Sequence, residues 1–168
     1  LVDGAKWGGA IGTGAQLTYS FSTSASVFTY SNSTHDPYTA LNVNQQAAAR
    51  MAMNALSSVC NITFTEVADT AVGAGDIRWT LSQNSTLSTA HAYYPSTSAA
   101  GGDIWFGPSG SYTTPVVGGY SYHTFIHELG HAVGLEHPHD GSPAPVVGED
   151  QLKSSAMGYE DNATDTDD

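Results

Sequence analysis

Residues 127–138 read His-Glu-Leu-Gly-His-Ala-Val-Gly-Leu-Glu-His-Pro. His127 and His131 are four positions apart, so on a helix their side chains project from one face, a turn apart. Two imidazoles placed in this way can bind one zinc ion, and Glu128 lies beside the first of them, within reach of a water on the metal. The spacing therefore predicts a helix that carries a metal site.

A third ligand is needed to leave a tetrahedral site with one position open for water or substrate. His137 is the candidate, but a straight helix would carry it away from His127 and His131. Gly134 can adopt the left-handed conformation that ends a helix and turns the chain back. We therefore predict that the three imidazoles converge on one metal.

These residues match the metzincin zinc-peptidase pattern H-E-x-x-H-x-x-G-x-x-H, which is followed by a methionine turn. Pro138 after the third His resembles the serralysin branch of that family. Residues 154–159, Ser-Ser-Ala-Met-Gly-Tyr, look like the methionine turn. The chain thus resembles the catalytic domain of a serralysin-like metzincin zinc metalloprotease.

The resemblance implies a fold and several site residues. The fold is α+β with an α/β-type upper lobe: a twisted mixed five-stranded sheet with an antiparallel edge strand, two main helices and a small irregular C-terminal lobe. Tyr159 would ligate zinc in the resting enzyme and then hydrogen-bond the developing oxyanion. Met157 would form an apolar floor beneath the zinc.

The charge balance is strongly acidic, with 4 Lys and Arg against 16 Asp and Glu and a formal net charge of −12. Nucleic-acid binding needs clustered Lys and Arg, which this composition excludes. No stretch approaches the roughly 20 apolar residues of a membrane span. An acidic surface can attract cations, so calcium is a second candidate metal.

Cys60 is the single cysteine, so no intramolecular disulfide can form. A secreted protein of this size without disulfides is more typical of bacteria than of animals, and we expect an extracellular bacterial protein. Because residues 1–4 lack a basic and apolar leader, we expect that any signal or propeptide is absent from this chain.

At 168 residues the chain is expected to form a single catalytic domain, with an upper lobe of about 1–134 and a lower lobe of about 135–168. Serralysin-like catalytic domains continue beyond the methionine turn into a closing helix and a calcium-binding repeat domain. Only nine residues follow Tyr159. We therefore expect the chain to be truncated at its C-terminus or to be a short variant.

Hydrophobic periodicity predicts the elements that surround the metal site. After an irregular Gly-rich lead-in that contains Trp7, strands are expected over 17–21, 62–67, 76–81, 90–95 and 103–106. A helix should begin after Asn42, which can cap it with Gln45, and run to about Ser58. Its predicted apolar stripe is Ala48, Ala52, Ala55, Leu56 and Val59. The metal-site helix should begin near Ser121.

Ala90, His91, Ala92 and Tyr93 form the segment that we predict to bind substrate. Small residues alternate along it, as suits a strand that another chain must approach, and Pro95 fits its end. An open strand edge can accept an extended peptide as an extra strand. In metzincins the matching segment forms the upper rim of the cleft.

Other histidines of the chain are weaker ligand candidates. His123 is four positions before His127, but choosing it would leave Glu128 and Gly134 without roles, so we place it outside the ligand set. His35 and His139 are interpreted as loop residues, and Asp140 likewise, with a calcium or supporting role left open for the latter two.

The predicted activity is that of a secreted zinc-dependent endopeptidase, in which zinc-activated water attacks the peptide bond and Glu128 is the general base. Its partners would be a peptide or protein substrate, with a protein inhibitor or propeptide as a further candidate. Two alternatives stay open. One is a non-catalytic binding module stabilised by zinc or calcium, and the other is a narrow-specificity protease that acts on one host glycoprotein.

Overall fold

The structure is a computed structural model that describes residues 4–10, 12–30, 36–138 and 155–158. In chain order its elements are the strands β1 (Ala15–Phe21) and β2 (Tyr38–Thr39), the helix α1 (Val43–Val59), the strands β3 (Ile62–Glu66), β4 (Ile77–Ser82), β5 (Ala90–Ala92) and β6 (Asp103–Phe106), a 3-10 turn (Gly110–Tyr112) and the helix α2 (Tyr120–Ala132). The α+β architecture with two main helices is confirmed.

The sheet runs in the order β3-β1-β4-β6-β5. Strands β3, β1, β4 and β6 run parallel to one another, and β5 pairs with β6 in the antiparallel sense. This is the predicted antiparallel edge strand. The described residues contain six strands instead of five, because the short β2 also pairs with the end of β4.

Both faces of the central strands are covered, so β4 and β6 are almost entirely buried. On one face Phe125 of α2 stacks on Phe106 at 4.2 Å and on Trp79 at 5.8 Å between ring centroids. On the other face Phe28 packs against Trp105 at 4.7 Å, while the Arg78 guanidinium lies over the Phe28 ring at 4.3 Å. The Phe125 contacts hold α2 against one face of the sheet, and the Phe28 contacts cover the other face.

Helix α1 begins as the sequence predicted. The Asn42 side chain accepts hydrogen bonds from the backbone N–H groups of Asn44 and Gln45, and the Gln45 side chain accepts one from the Asn42 N–H. This reciprocal pair satisfies N–H groups that the helix itself cannot pair.

The predicted apolar stripe of α1 is partly wrong. Ala48 and Ala52 are buried, but Val59 is 81% exposed and Ala55 is also exposed. Ala49 and Met53 are buried in their place. The last turn of α1 borders an apolar groove between the two helices, so Val59 lies at the rim of that groove and not in the core.

Candidate metal centre

His127 and His131 lie on one face of α2 and are both buried, with 8% exposure for His127 and 7% for His131. The helix lies against the sheet through Phe125 and Leu129, which alternate with the histidine positions around its circumference. The imidazoles are therefore presented from a helix whose rotation is set by core packing.

The helix ends at Ala132, and the chain then turns back. Gly134 has a φ of +105°, a conformation that side-chain-bearing residues rarely adopt. The Gly134 N–H donates to His131 O at 2.9 Å, and the Leu135 N–H donates to Gly130 O at 2.9 Å. This left-handed helix end returns the chain toward the helix and brings His137 to the two earlier imidazoles.

The three imidazoles converge through their Nε2 atoms. The Nε2 separations are 3.2 Å between His127 and His131, 3.0 Å between His131 and His137, and 3.2 Å between His137 and His127. Two nitrogens bound to a tetrahedral zinc ion at about 2.0–2.1 Å would be roughly 3.3 Å apart. The spacing thus fits three ligands of one small cation.

The hydrogen bonds of the Nδ1 atoms determine which nitrogen of each ring carries the proton. His127 Nδ1 lies 2.9 Å from Ala156 O, and His131 Nδ1 lies 2.8 Å from Leu135 O. A carbonyl oxygen only accepts, so each Nδ1 donates, and in a neutral imidazole the Nε2 then carries a lone pair. Lone pairs at such distances repel one another unless a cation lies between them. The donor set therefore fits a zinc ion.

Burial keeps the His127 imidazole neutral. The pKa of His127 is lowered from 6.5 to about 4, chiefly by loss of solvent; the hydrogen bond to Ala156 O raises it, and the neighbouring imidazoles of His131 and His137 lower it. A neutral imidazole is the form that binds a metal.

Glu128 lies beside the imidazoles and is only 6% exposed. Burial raises its pKa from 4.5 to about 8. A cation at the three Nε2 atoms would oppose that shift, because a positive charge stabilises the carboxylate. Glu128 lines a cavity of about 210 Å³ together with His127, Ala90 and Gly158.

A larger cavity, about 480 Å³, lies away from the imidazoles. It is lined by loop residues in the ranges 70–76 and 96–101 and by Arg78, whose guanidinium is already paired with Asp69 at 2.8 Å. None of the three converging histidines lines it. We therefore identify the smaller cavity, which His127 and Glu128 line, as the candidate active site.

Met157 is buried, with 6% exposure, and its thioether sulfur packs against Gly130 of α2, one residue before His131. It lies in the helix groove with Leu129 and Leu135. Residues 156–158 thus lie against the part of α2 that carries His127 and Gly130. Tyr159 lies outside the described residues, as do His35, His139 and Asp140.

The predicted substrate segment lies at an edge of the sheet. Ala90, His91 and Ala92 form β5, and all are half-buried. Tyr93 continues the pairing, since its N–H donates to Asp103 O at 2.9 Å. Ala90 reaches the Glu128 cavity, so the strand edge and that cavity are adjacent.

His123 is not part of the converging group. Its ring lies 6.0 Å from the His127 ring between centroids, and it lines the Glu128 cavity. Burial lowers the pKa of His123. Within the described ranges, the only group of three or more His, Cys, Asp or Glu side chains able to hold a metal is that of His127, His131 and His137.

Sequence reasoning missed the carbonyls that orient the imidazoles. The oxygens of Ala156 and Leu135 are backbone atoms, and every residue type has one, so no pattern of side chains marks them. It also missed Trp7, whose indole N–H donates to Ala132 O at 2.7 Å. The Gly-rich surroundings of Trp7 carry no periodicity that could have indicated this contact.

Comparison with known proteins agrees with this geometry. Residues 15–145 match the family model of the matrixins, peptidase family M10. The chain is 36% identical over 170 residues to metallopeptidase AprA of Pseudomonas marginalis, covering 95% of this chain and 35% of that protein. It is 34% identical over 181 residues to serralysin of Proteus mirabilis, covering 92% and 36% of the two chains.

The chain therefore spans about a third of the length of these relatives. The structure of myroilysin superposes with a TM-score of 0.52 at 20% identity, over 86% of this chain and 58% of that one, which shows a shared fold. Among the described residues, no helix is long and apolar enough to cross a membrane.

Proposed function

Because the chain belongs to the matrixin family of peptidases and is a serralysin-like metzincin, we propose that it is a secreted zinc-dependent endopeptidase. The observation that carries the proposal is the convergence of three Nε2 atoms beside a buried carboxyl group. A protein that bound zinc only for structural stability would not need the buried carboxyl group of Glu128 beside the metal site.

The proposed ligands are His127, His131 and His137. Zinc bound there would supply Lewis-acid chemistry: it would polarise a carbonyl group and lower the pKa of a bound water to about 7. Glu128 would be the general base: its carboxylate takes a proton from the attacking water and passes it to the leaving amine. Its position in the same cavity as His127 supports this role.

Substrate would bind along β5. One side of that strand pairs with β6, and among the described residues β5 is the last strand in the order of the sheet. An extended peptide can pair with such an edge through backbone hydrogen bonds. The adjacent cavity of about 210 Å³ would then hold one side chain of the peptide next to Glu128.

Several finer parts of the proposal rest on the sequence. Tyr159 is proposed as a hydrogen-bond donor to the oxyanion, Met157 as the floor beneath the metal, and residues 1–168 as one catalytic domain with two lobes. Calcium binding and an inhibitor or propeptide partner also remain predictions.

The proposal is tested by metal analysis and cleavage of a fluorogenic peptide library. We expect one zinc ion per chain. We also expect that a chelator abolishes peptide cleavage and that added zinc restores it. A zinc-loaded chain that cleaves no peptide would instead support the non-catalytic binding module. Cleavage confined to one sequence would favour the narrow-specificity protease, and a chain with no zinc or with chelator-resistant cleavage would overturn the proposal.

A further inference from the structure

The N-terminal segment lies across the turn that follows α2. The indole N–H of Trp7 donates to Ala132 O at 2.7 Å, joining residues 125 positions apart. Ala132 is the last residue of α2 and directly follows the second metal-site histidine, His131. A side chain near the start of the chain thus contacts the backbone between the second and third converging imidazoles.

The contact satisfies a helix-end carbonyl. The last four carbonyls of an α-helix have no partner within the helix. At this helix end, the N–H groups of residues 133, 134 and 135 donate to the carbonyls of residues 129, 130 and 131. The Ala132 carbonyl is paired by the indole of Trp7, so the indole completes the hydrogen bonding of this turn.

A second contact holds the same segment against the same turn. The backbone oxygen of Ala5 lies so close to Gly134 that a Cβ there would stand 2.5 Å from it, and the ring of Pro95 lies on the same side at 3.5 Å. Trp7 also packs against the turn that precedes β6, since a Cβ at Gly102 would stand 2.9 Å from the indole Cζ2. The turn after α2 is therefore held between the N-terminal segment and Pro95.

The turn decides where two of the imidazoles lie. It carries the chain to His137, and its Leu135 oxygen accepts the hydrogen bond from His131 Nδ1 at 2.8 Å. A shift of the turn would move the third imidazole and rotate the second. The Nε2 separations of 3.0 and 3.2 Å around His137 leave little room for such a shift.

We propose that Trp7 is a positioning residue for the metal centre, which holds the turn after α2 so that His137 and His131 meet the ion together. This inference rests on the proposed zinc site. Trp7 itself does not touch the ion or the reacting atoms; it acts through Ala132 O and the turn.

The test is the zinc dissociation constant of the Trp7→Phe variant, measured on the whole chain by competition with a chromophoric chelator. The substitution keeps an aromatic ring and removes the N–H donor. We expect the dissociation constant to rise about tenfold, as is typical when a hydrogen bond that supports the metal ligands is lost. The absorption spectrum of the cobalt-substituted variant should also change, because the ligand geometry changes.

The matched control is Tyr38→Phe. The hydroxyl group of Tyr38 donates to Ser26 O at 2.7 Å, so this variant also loses one partly buried hydrogen bond from an aromatic side chain to a backbone carbonyl. Its hydrogen bond is made outside the turn after α2, so we expect its zinc affinity and cobalt spectrum to match the wild type. Urea unfolding of both zinc-free variants measures the purely structural cost.

If both variants lose similar stability and neither changes zinc affinity, Trp7 is a structural residue only and the inference is overturned. If Trp7→Phe does not fold, replacing the indole with the isosteric benzothiophene, which lacks the N–H, gives the same comparison. A wild-type chain that binds no zinc would overturn the proposed function itself, an outcome distinct from unchanged affinity in the variant.

Discussion

The thioether sulfur of Met157 occupies the side of Gly130 on which any other residue would carry its Cβ. Gly130 lies between His127 and His131 of α2, and Met157 follows Ala156, whose carbonyl accepts the hydrogen bond from His127. The methionine segment can contact the helix this closely only because Gly130 has no side chain. The absence of a side chain at Gly130 thus allows the close contact of the segment whose Ala156 carbonyl orients the His127 imidazole.

Gly130→Ala should destabilise the protein, although alanine normally favours a helix over glycine by about 1 kcal/mol. The new Cβ would overlap the Met157 sulfur, and overpacking of this kind costs about 1–3 kcal/mol. We expect a lower free energy of unfolding in urea and weaker zinc binding. Gly110→Ala, where a Cβ meets no atom within 4 Å, is the control. Equal stability in the two variants would contradict the close packing.

Glu128→Gln should abolish turnover and leave zinc content close to one per chain. Glutamine has nearly the same shape but cannot accept the proton of the attacking water. Peptide cleavage and metal analysis of the same preparation measure the two effects. Substantial residual cleavage by the zinc-loaded variant would remove Glu128 from the role of base.

Tyr159→Phe should lower kcat more than it raises KM. An oxyanion donor acts mainly in the transition state and contributes about 3 kcal/mol there, which corresponds to roughly a hundredfold in kcat. Steady-state kinetics on one peptide give both constants. Unchanged kcat would show that the hydroxyl group plays no part in the reaction.

His137→Ala should lose zinc, whereas His123→Ala should keep it. The Nε2 of His137 lies 3.0 and 3.2 Å from those of the other two imidazoles, while the His123 ring is 6.0 Å from that of His127. Zinc titration of both variants decides between the two histidines. If His123→Ala also lost its zinc while remaining folded, the ligand set would need revision.

The stability of the fold should depend on pH through Asp103, which is 4% exposed. Burial raises its pKa from 3.8 to about 7, although the Tyr30 hydroxyl donates to it at 2.5 Å and Arg78 lowers the pKa, while the nearby charge of Asp69 raises it. The folded state therefore keeps a proton that the unfolded chain has lost between about pH 4 and pH 7.

The free energy of unfolding should accordingly fall as pH rises through that range, by about 4 kcal/mol at about 1.4 kcal/mol for each unit of pKa. The Asp103→Asn variant cannot ionise at this position and should lack that part of the decline. Urea unfolding of both proteins at several pH values between 4 and 8 measures the difference. If the free energies of unfolding of the two proteins changed with pH in the same way, Asp103 would be ionised in the folded protein.

The extent to which the sequence anticipated the fold differs between elements. The capping residues of α1 and the bounds of β6 were predicted, because local hydrogen bonds and short apolar runs determine them. The exposed Val59 and the extra strand β2 were not, since burial at the end of a helix and pairing of a two-residue strand depend on what else lies nearby.

The sequence by itself determined which three imidazoles come together. The spacing of His127, His131 and His137, with Gly134 between the last two, is sufficient to predict one metal held by three imidazoles, because helix periodicity and glycine's left-handed conformation are local properties. Only the tertiary structure decided what orients those imidazoles. The carbonyl of Ala156 and the indole of Trp7 come from distant parts of the chain, and contacts of that kind exist only once the sheet and helices have packed.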